Sequence, residues 1–201
     1  MFDGPTSPGI DLDAPLVVID LSSVRDSSAL GILMACAGAW QQAILGERKR
    51  AAEEEGIASP QVICAVEEGW RITSHIGAAE WLLESWKLCR GLGIQNIIVV
   101  HRPSDLGAAG EEGSREARIA EGLFADADTK VFYRLGADQR EALLKAGRSS
   151  SEIEYITGSR PGEAIWVVGR RSFAVQHRIS AIEQRFVFTD WRMGEASPVA
   201  A

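Results

Sequence analysis

The strongest constraint on the fold of this chain is a series of short apolar runs that end in ionisable side chains. Residues 16–19, 62–66 and 97–100 are apolar and rich in β-branched side chains, which is typical of strands buried on both faces. Stretches with apolar residues at helical spacing follow the first two runs, over about residues 30–55 and 74–91. This alternation predicts an α/β fold, a mostly parallel sheet with helices on both faces.

The second half of the chain predicts shorter elements. They are three helices and a fourth strand, at residues 115–124, 137–146, 149–156 and 130–134. Two further apolar runs flank Gly169-Arg170-Arg171-Ser172, and this pattern predicts a C-terminal β-hairpin at the edge of the sheet. The Gly- and charge-rich residues 104–116 are expected to form a mobile loop.

Composition excludes several classes of protein. The 201 residues are 46% hydrophobic and 24% charged, which excludes a disordered chain. A net charge of −7 disfavours a protein that is coated by nucleic acid, although a local basic patch such as Arg170-Arg171 is compatible with a DNA or partner contact. We expect no transmembrane segment, because no apolar run approaches the length of about 20 residues that spans a bilayer.

The cysteines and the N-terminus predict a compartment. Cys36, Cys64 and Cys89 lie in apolar segments and are expected to be buried, reduced thiols. Neither a Cys-x-x-Cys pair nor a Cys/His cluster offers metal-ligand spacing. The first residues are acidic and lack the apolar core of a secretory signal. We therefore predict a cytoplasmic protein, with peripheral attachment at the inner face of the membrane as an option.

Ionisable residues at three predicted strand ends mark the candidate site. Asp20, the pair Glu67-Glu68 and His101 each follow an apolar run. Ligands of open parallel sheets bind beyond the carboxyl ends of the strands, so these side chains are expected to share one edge. Polar residues also follow strands as helix caps or loop residues, and that alternative stays open for each of them.

The adjacent acids Glu67 and Glu68 indicate nucleotide hydrolysis. One carboxylate would lie beside a magnesium ion, and the other would orient or deprotonate the attacking water. Their like charges are expected to raise the pKa of one carboxyl group, which suits a base. The sequence contains no Gly-x-x-x-x-Gly-Lys-Ser/Thr loop to hold phosphates, and no Gly-x-Gly-x-x-Gly, Gly-x-Ser-x-Gly or His-Glu-x-x-His motif.

Four stretches resemble a family of motor ATPases. Residues 62–70 resemble the Walker B stretch of the conjugation and type IV secretion ATPases, of the HerA–FtsK branch of RecA-like P-loop proteins, which reads as apolar residues followed by Asp-Glu-Ala-Trp. Residues 2–6 with 16–22 resemble the preceding strand, residues 85–90 an arginine-bearing helix, and residues 97–106 the next strand with its sensor position. The likeness is greatest to the actinobacterial TraC-like conjugal-transfer ATPases.

The resemblance implies a domain organisation. It covers about residues 2–190, nearly the whole chain. It implies an irregular lead-in over residues 1–15, the C-terminal part of a RecA-like ATPase domain over residues 16–190, and a tail over residues 191–201. The Walker A loop of this family lies upstream of the matched region, so the chain is expected to be truncated upstream and inactive alone.

The resemblance also implies residue roles. Glu67 matches the magnesium-associated Asp, Glu68 the catalytic Glu, Arg90 an arginine that reaches the nucleotide of a neighbouring subunit, and His101 a sensor that is often Gln. Glu67 is one methylene longer than the usual Asp and is expected to disturb the magnesium shell. Gly69 replaces the usual Ala and is expected to loosen the turn.

The implied cofactors are ATP and Mg²⁺. The implied partners are other copies of the chain in a hexamer, a membrane-associated conjugation machinery, and DNA or protein cargo. An alternative is a non-catalytic module that docks on a complete motor ATPase. A third reading, an isochorismatase-like hydrolase that uses Asp20, lacks the cysteine nucleophile expected near the fourth strand. The six tryptophans are expected to be core or interface anchors.

Overall fold

The computed structural model describes residues 14–21, 24, 29–58, 61–107 and 113–187, so most of the predicted lead-in and the whole tail lie outside the described residues. Its helices are α1 (Ala29–Glu55), α2 (Gly69–Thr73), α3 (Ile76–Leu92), α4 (Pro103–Gly107), α5 (Arg115–Asp126), α6 (Arg140–Lys145), α7 (Ser150–Gly158) and α8 (Ala181–Val187). Its strands are β1 (Val62–Val66), β2 (Ile94–Ile98), β3 (Thr129–Phe132), β4 (Glu163–Val168) and β5 (Arg171–Gln176). The predicted α/β class is confirmed.

The first two strands form the parallel pair that the sequence predicts. Val62 lies opposite Ile94 at one end and Val66 opposite Ile98 at the other, with α2 and α3 as the crossover. The second strand begins three residues earlier than predicted. Its polar Asn96 bonds the Ser85 backbone on α3 (Nδ2 to O, 3.2 Å), and this contact accommodates an amide in a half-buried position.

One face of the parallel pair is open in the described part of the chain. Val66 and Ile94 are buried towards the helices, whereas Ile63 and Ile97 are 65% and 40% exposed. The expectation of helices on both faces therefore differs from what the described residues show. A run of apolar residues predicts the strand, but it does not specify what covers the second face.

Residues 16–19 do not form the predicted strand. They lie outside both sheets, and Leu16 and Val18 are 77% and 78% exposed. A strand needs a neighbour that accepts its hydrogen bonds, and the apolar character of a segment does not provide one.

Helix α1 confirms the predicted long helix and packs on α3. At Gly38 the two helices approach so closely that a Cβ would lie 1.8 Å from Trp81 Nε1. An 18-residue window of α1 has a mean hydropathy of 1.4, so α1 is the one helix of the described chain that is long and apolar enough to cross a bilayer. Only 22% of that window is buried.

The cysteines differ from the expectation of buried thiols. Cys36 lies on the exposed side of α1, and Cys64 and Cys89 are half-buried.

The predicted hairpin is confirmed as β4 and β5, but it lies in a sheet of its own. Strand β3 pairs antiparallel with β4, and β4 with β5, so the described strands form a two-stranded and a three-stranded sheet. The hairpin was predicted at the edge of the parallel sheet, whereas the structure places it in the separate antiparallel sheet. The fourth predicted strand supplies the edge to which the hairpin pairs. The short turn between β4 and β5 favours their antiparallel pairing, whereas β3 reaches β4 through residues 133–162.

Two hydrophobic cores correspond to the two sheets. The first joins α1, α3, α5 and the parallel pair through Leu30, Val66, Leu82 and Leu123. The second lies under the antiparallel sheet and joins it to α6 and α7, with Leu143, Ile153 and Ile156 almost completely buried. A capping box between Ser149 and Glu152 begins α7.

Candidate functional site at the carboxyl ends of the parallel strands

Backbone hydrogen bonds carry the parallel ladder past the ends of β1 and β2. The Val99 N–H donates to the Val66 carbonyl (2.9 Å), and the Gly69 N–H donates to the Val99 carbonyl (3.0 Å). These bonds fix the turn at residues 67–69 beside residues 99–101. The side chains that follow the two strands therefore meet at one edge, as the sequence predicts for Glu68 and His101.

Glu68 is held at this edge in an unusual conformation. Its φ of 53° makes it the only non-glycine residue with positive φ among those the structure describes. The side chain does not cap α2. It accepts a hydrogen bond from Trp70 Nε1 (2.7 Å), and its second oxygen lies 2.8 Å from His101 Nε2. A left-handed backbone at a non-glycine residue costs about 1–3 kcal/mol and is concentrated at functional sites.

The hydrogen bonds determine the charge of Glu68. The bond from the Trp70 indole and then the one to His101 lower the pKa of the Glu68 carboxyl below its ordinary 4.5, against a smaller effect of burial. The expectation that repulsion from Glu67 raises the pKa of one carboxyl is wrong for Glu68. Donors in direct contact with its oxygens dominate, so Glu68 is an ionised acceptor at neutral pH.

Trp70 is a site residue that the sequence analysis missed. Its N–H orients Glu68, and the Arg71 guanidinium lies 4.4 Å from the centre of its ring. The sequence predicts that the tryptophans are core or interface anchors. Trp70 is half-buried and, in addition, orients the Glu68 side chain. The signal that could have found it is its position two residues after a carboxylate that ends a strand.

Gly69 packs tightly and does not loosen the turn as expected. It is buried at the start of α2, and a Cβ there would lie 2.3 Å from Ile98 Cγ2. The missing side chain lets the turn lie directly on β2. Glycine at this position therefore brings Glu68 close to the second strand.

Glu67 differs from Glu68 in its surroundings. Its side chain is exposed, and no described residue forms a hydrogen bond or ion pair with it. Groups of three or more potential metal ligands are absent from the described residues. Mg²⁺ in nucleotide sites uses one or two carboxylates together with phosphate oxygens and water. Glu67 therefore fits as a single carboxylate beside such an ion, and the part of the chain that the structure describes forms no complete cage.

A second layer of polar contacts borders His101. The Arg102 N–H donates to Asp105 Oδ2 (3.1 Å), and Arg102 Nη1 lies 3.9 Å from Asp138 Oδ2. The Ser104 N–H donates to the buried Gln139 side chain (3.4 Å). The turn before α6 is thereby joined to the candidate site. Asp138 and Gln139 come from a distant part of the sequence, and no local motif indicates them.

Arg90 does not join this cluster. It lies in the last turn of α3, next to the end of the sheet where Val62 pairs with Ile94. That end is about 17 Å from the Glu68 end, because five strand residues span that distance. Asp20 follows a segment that is not a strand, so the premise of the prediction for Asp20, a strand that ends at the shared edge, is not met.

This arrangement provides an ionised carboxylate of fixed orientation with an imidazole beside it. The Glu68 side chain is 43% exposed and that of His101 is 69% exposed, so a ligand can reach both. Such a carboxylate can orient a water molecule and accept its proton. The chain has no phosphate-binding loop of the Walker A type that would complete a nucleotide site.

Comparison with known proteins identifies the fold. Neither a protein-family model nor a curated protein matches the chain. Among solved structures, the chain is similar to VirB4 of Thermoanaerobacter pseudethanolicus, with a TM-score of 0.69 and 16% identity. The match covers 87% of this chain and 44% of that one, so the chain corresponds to less than half of its neighbour. The chain thus has the RecA-like α/β fold of part of a VirB4 protein.

Proposed function

We propose that the chain is the Walker B-bearing part of a motor ATPase of the type IV secretion and conjugation class. The observation that supports this best is the contact of Glu68, at the end of β1, with His101, at the end of the adjacent parallel β2 (2.8 Å). In a nucleotide hydrolase these are the places of the catalytic carboxylate and of a sensor. The structural likeness to part of VirB4 supports the assignment of this chain to a region of such a motor.

In this proposal Glu68 orients the attacking water and accepts its proton. The carboxylate is ionised at neutral pH and so can accept a proton, but its lowered pKa makes it a weaker base, and its main contribution is orientation. The two bonds from Trp70 and His101 keep the carboxylate in one orientation. Glu67, exposed beside it, would hold the water shell of Mg²⁺. When bound, the ion would neutralise charge on the phosphates. A phosphate loop on polypeptide beyond this sequence would hold the ATP.

Arg90 would act on another subunit. Its place at the opposite end of the parallel pair excludes direct contact with the Glu68 of its own chain, whereas a ring of copies can bring it to a neighbour's nucleotide. We propose a hexameric motor at a membrane-associated conjugation machinery, with DNA or protein as cargo and a cytoplasmic location.

The second candidate is a non-catalytic module that docks on a complete motor. The absence of a phosphate loop in the sequence and the open apolar face of the parallel pair, with Ile63 65% exposed, favour it. In this case Glu68 and His101 would keep the geometry of a hydrolase without its substrate.

A phosphate-release assay separates the two candidates. We expect no turnover of Mg-ATP by the chain alone. In the longest in-frame protein that contains this chain and a phosphate loop, Glu68→Gln is expected to reduce kcat by about 10²–10⁴-fold, because it removes the proton acceptor. ATP binding should persist, since Glu68 is not a phosphate ligand.

Glu154→Gln, an exposed carboxylate on α7, is the matched control and should retain activity. Unchanged turnover in the Glu68 variant would contradict the proposed role. If no frame upstream encodes a phosphate loop and the chain binds a complete motor without adding hydrolysis, the docking module is the better description.

A further inference from the structure

The face of the antiparallel sheet that points away from its core carries exposed aromatic rings. We call it the aromatic face, defined by Val131, Tyr133, Trp166 and Phe173. Val131, Tyr133 and Phe173 are 37%, 49% and 48% exposed, and Trp166 is half-buried. Alternation along the strands separates these residues from Phe132, Ile165 and Val167 in the core. The described residues leave more than a third of Val131, Tyr133 and Phe173 in solvent.

The rings are held in fixed positions. Val131, Trp166 and Phe173 form one row across the three strands, because Val131 pairs with Trp166 and Trp166 with Phe173. His177 lies between Tyr133 (ring centres 5.5 Å apart) and Trp166 (5.6 Å), and Trp166 Nε1 donates to His177 Nε2 (3.1 Å). A flat ligand would meet rings that are already oriented, which reduces the entropy lost on binding.

Positive charge without an ion-pair partner among the described residues borders the aromatic face. Residues 160–178 contain four arginines and one carboxylate, Glu163, in a chain whose net charge is −7. Arg171 lies two residues from Phe173 on the same strand and so points to the same face. Arg170 is in the turn beside it, and neither arginine forms an ion pair with a described residue. Asp128 brings a carboxylate near the turn, because its backbone carbonyl accepts a hydrogen bond from the Gly169 N–H.

We propose that the aromatic face binds single-stranded nucleic acid. Bases would stack on Tyr133, Trp166 and Phe173, and phosphates would lie at Arg170 and Arg171. Aromatic rings interleaved with cations are the surface that unpaired bases and their backbone require. A second copy of the chain is a poorer occupant, because two such faces would bring like-charged arginines together without a carboxylate on the face to pair with them.

Fluorescence anisotropy of a labelled oligothymidylate of about 15 nucleotides tests the proposal with the chain as it is. We expect saturable binding that weakens as salt increases. Phe173→Ala should weaken it about 5- to 100-fold, since one stacked base is lost. Arg171→Ser should reduce the slope of log affinity against log salt by about 0.7, the value for one phosphate contact on a single strand.

Leu144→Ala and Arg140→Ser, both exposed on α6, are the matched controls and should bind as the unmodified chain does. Thermal melts of all variants show whether each is folded. Absence of binding at low salt would overturn the proposal, as would equal affinity for duplex DNA with no loss in Phe173→Ala. A dimer in light scattering that Phe173→Glu dissociates and the oligonucleotide leaves intact would assign the face to contacts between copies. None of these readouts uses ATP, so they stand apart from the proposed hydrolysis.

Discussion

The two sheets of this protein differ in how far the described chain completes them. The antiparallel sheet has three strands over a core whose central residues, Leu143 and Ile156, are fully buried. The parallel sheet has two strands, and its outer face leaves Ile63 and Ile97 exposed. Both sheets have one open face, but that of the parallel pair is aliphatic and that of the antiparallel sheet is aromatic and bordered by arginines.

The difference follows from the connections that each kind of sheet needs. Strands β4 and β5 are joined by a two-residue turn at residues 169–170, so these two neighbours in sequence become neighbours in space, whereas β3 reaches β4 through α6 and α7. A parallel pair needs a helix for each crossover, and its further strands must come from distant chain. A two-stranded sheet is marginal by itself. The comparison teaches that the parallel region depends on packing partners more than the antiparallel region does.

The largest expected effect compares two isoleucines, one from each region. Ile156→Ala removes a fully buried side chain from the second core and should reduce the free energy of unfolding by about 2–5 kcal/mol. Ile63→Ala, at a site 65% exposed, should change it by less than about 1 kcal/mol. Urea denaturation measures both. A loss at Ile63 as large as that at Ile156 would show that the open aliphatic face is covered in solution.

The next effect concerns the close contact that positions Glu68. Gly69→Ala would place a Cβ 2.3 Å from Ile98 Cγ2, so the turn or β2 must shift. We expect a loss of about 1–3 kcal/mol in the free energy of unfolding. Gly122→Ala in α5, where a Cβ meets no atom within 4 Å, is the control and should stabilise by up to about 1 kcal/mol. Equal behaviour of the two variants would refute the packing role of Gly69.

The smallest effect is a pH dependence at the parallel strand ends. The pKa of Glu68 is lower in the folded chain than its ordinary 4.5, so its contribution to stability is present above that pH and is lost as pH falls through the folded pKa. The side chain is 43% exposed, so solvent screening limits the effect to less than about 1 kcal/mol.

Chemical denaturation at a series of pH values between about 6 and 3 measures this effect. The unmodified chain should lose slightly more stability than Glu68→Gln over this range, and Trp70→Phe should reduce the difference because it removes the strongest donor. If Glu68→Gln loses more stability than the unmodified chain over this range, the pKa of Glu68 is raised in the folded chain instead.

The local pattern of residues was sufficient to predict the elements that local interactions form. Helical spacing predicted α1 and α3, the apolar run at residues 62–66 predicted β1 with its bounds, and two runs around a Gly-Arg turn predicted the hairpin. The parallel order of the strands also predicted that Glu68 and His101 meet. The same reasoning failed at residues 16–19, because apolar composition is shared by paired strands and by segments that lack a partner.

The sequence by itself determined most of the segments that become helices and strands, and it determined that acidic and imidazole side chains follow two parallel strands. It did so because periodicity and the direction of a crossover are properties of the chain. Only the tertiary structure decided that Trp70 fixes Glu68, that Gly69 lies against Ile98, and that the hairpin joins β3 in a second sheet. These features depend on distances between separate elements, and the order of residues along the chain does not contain those distances.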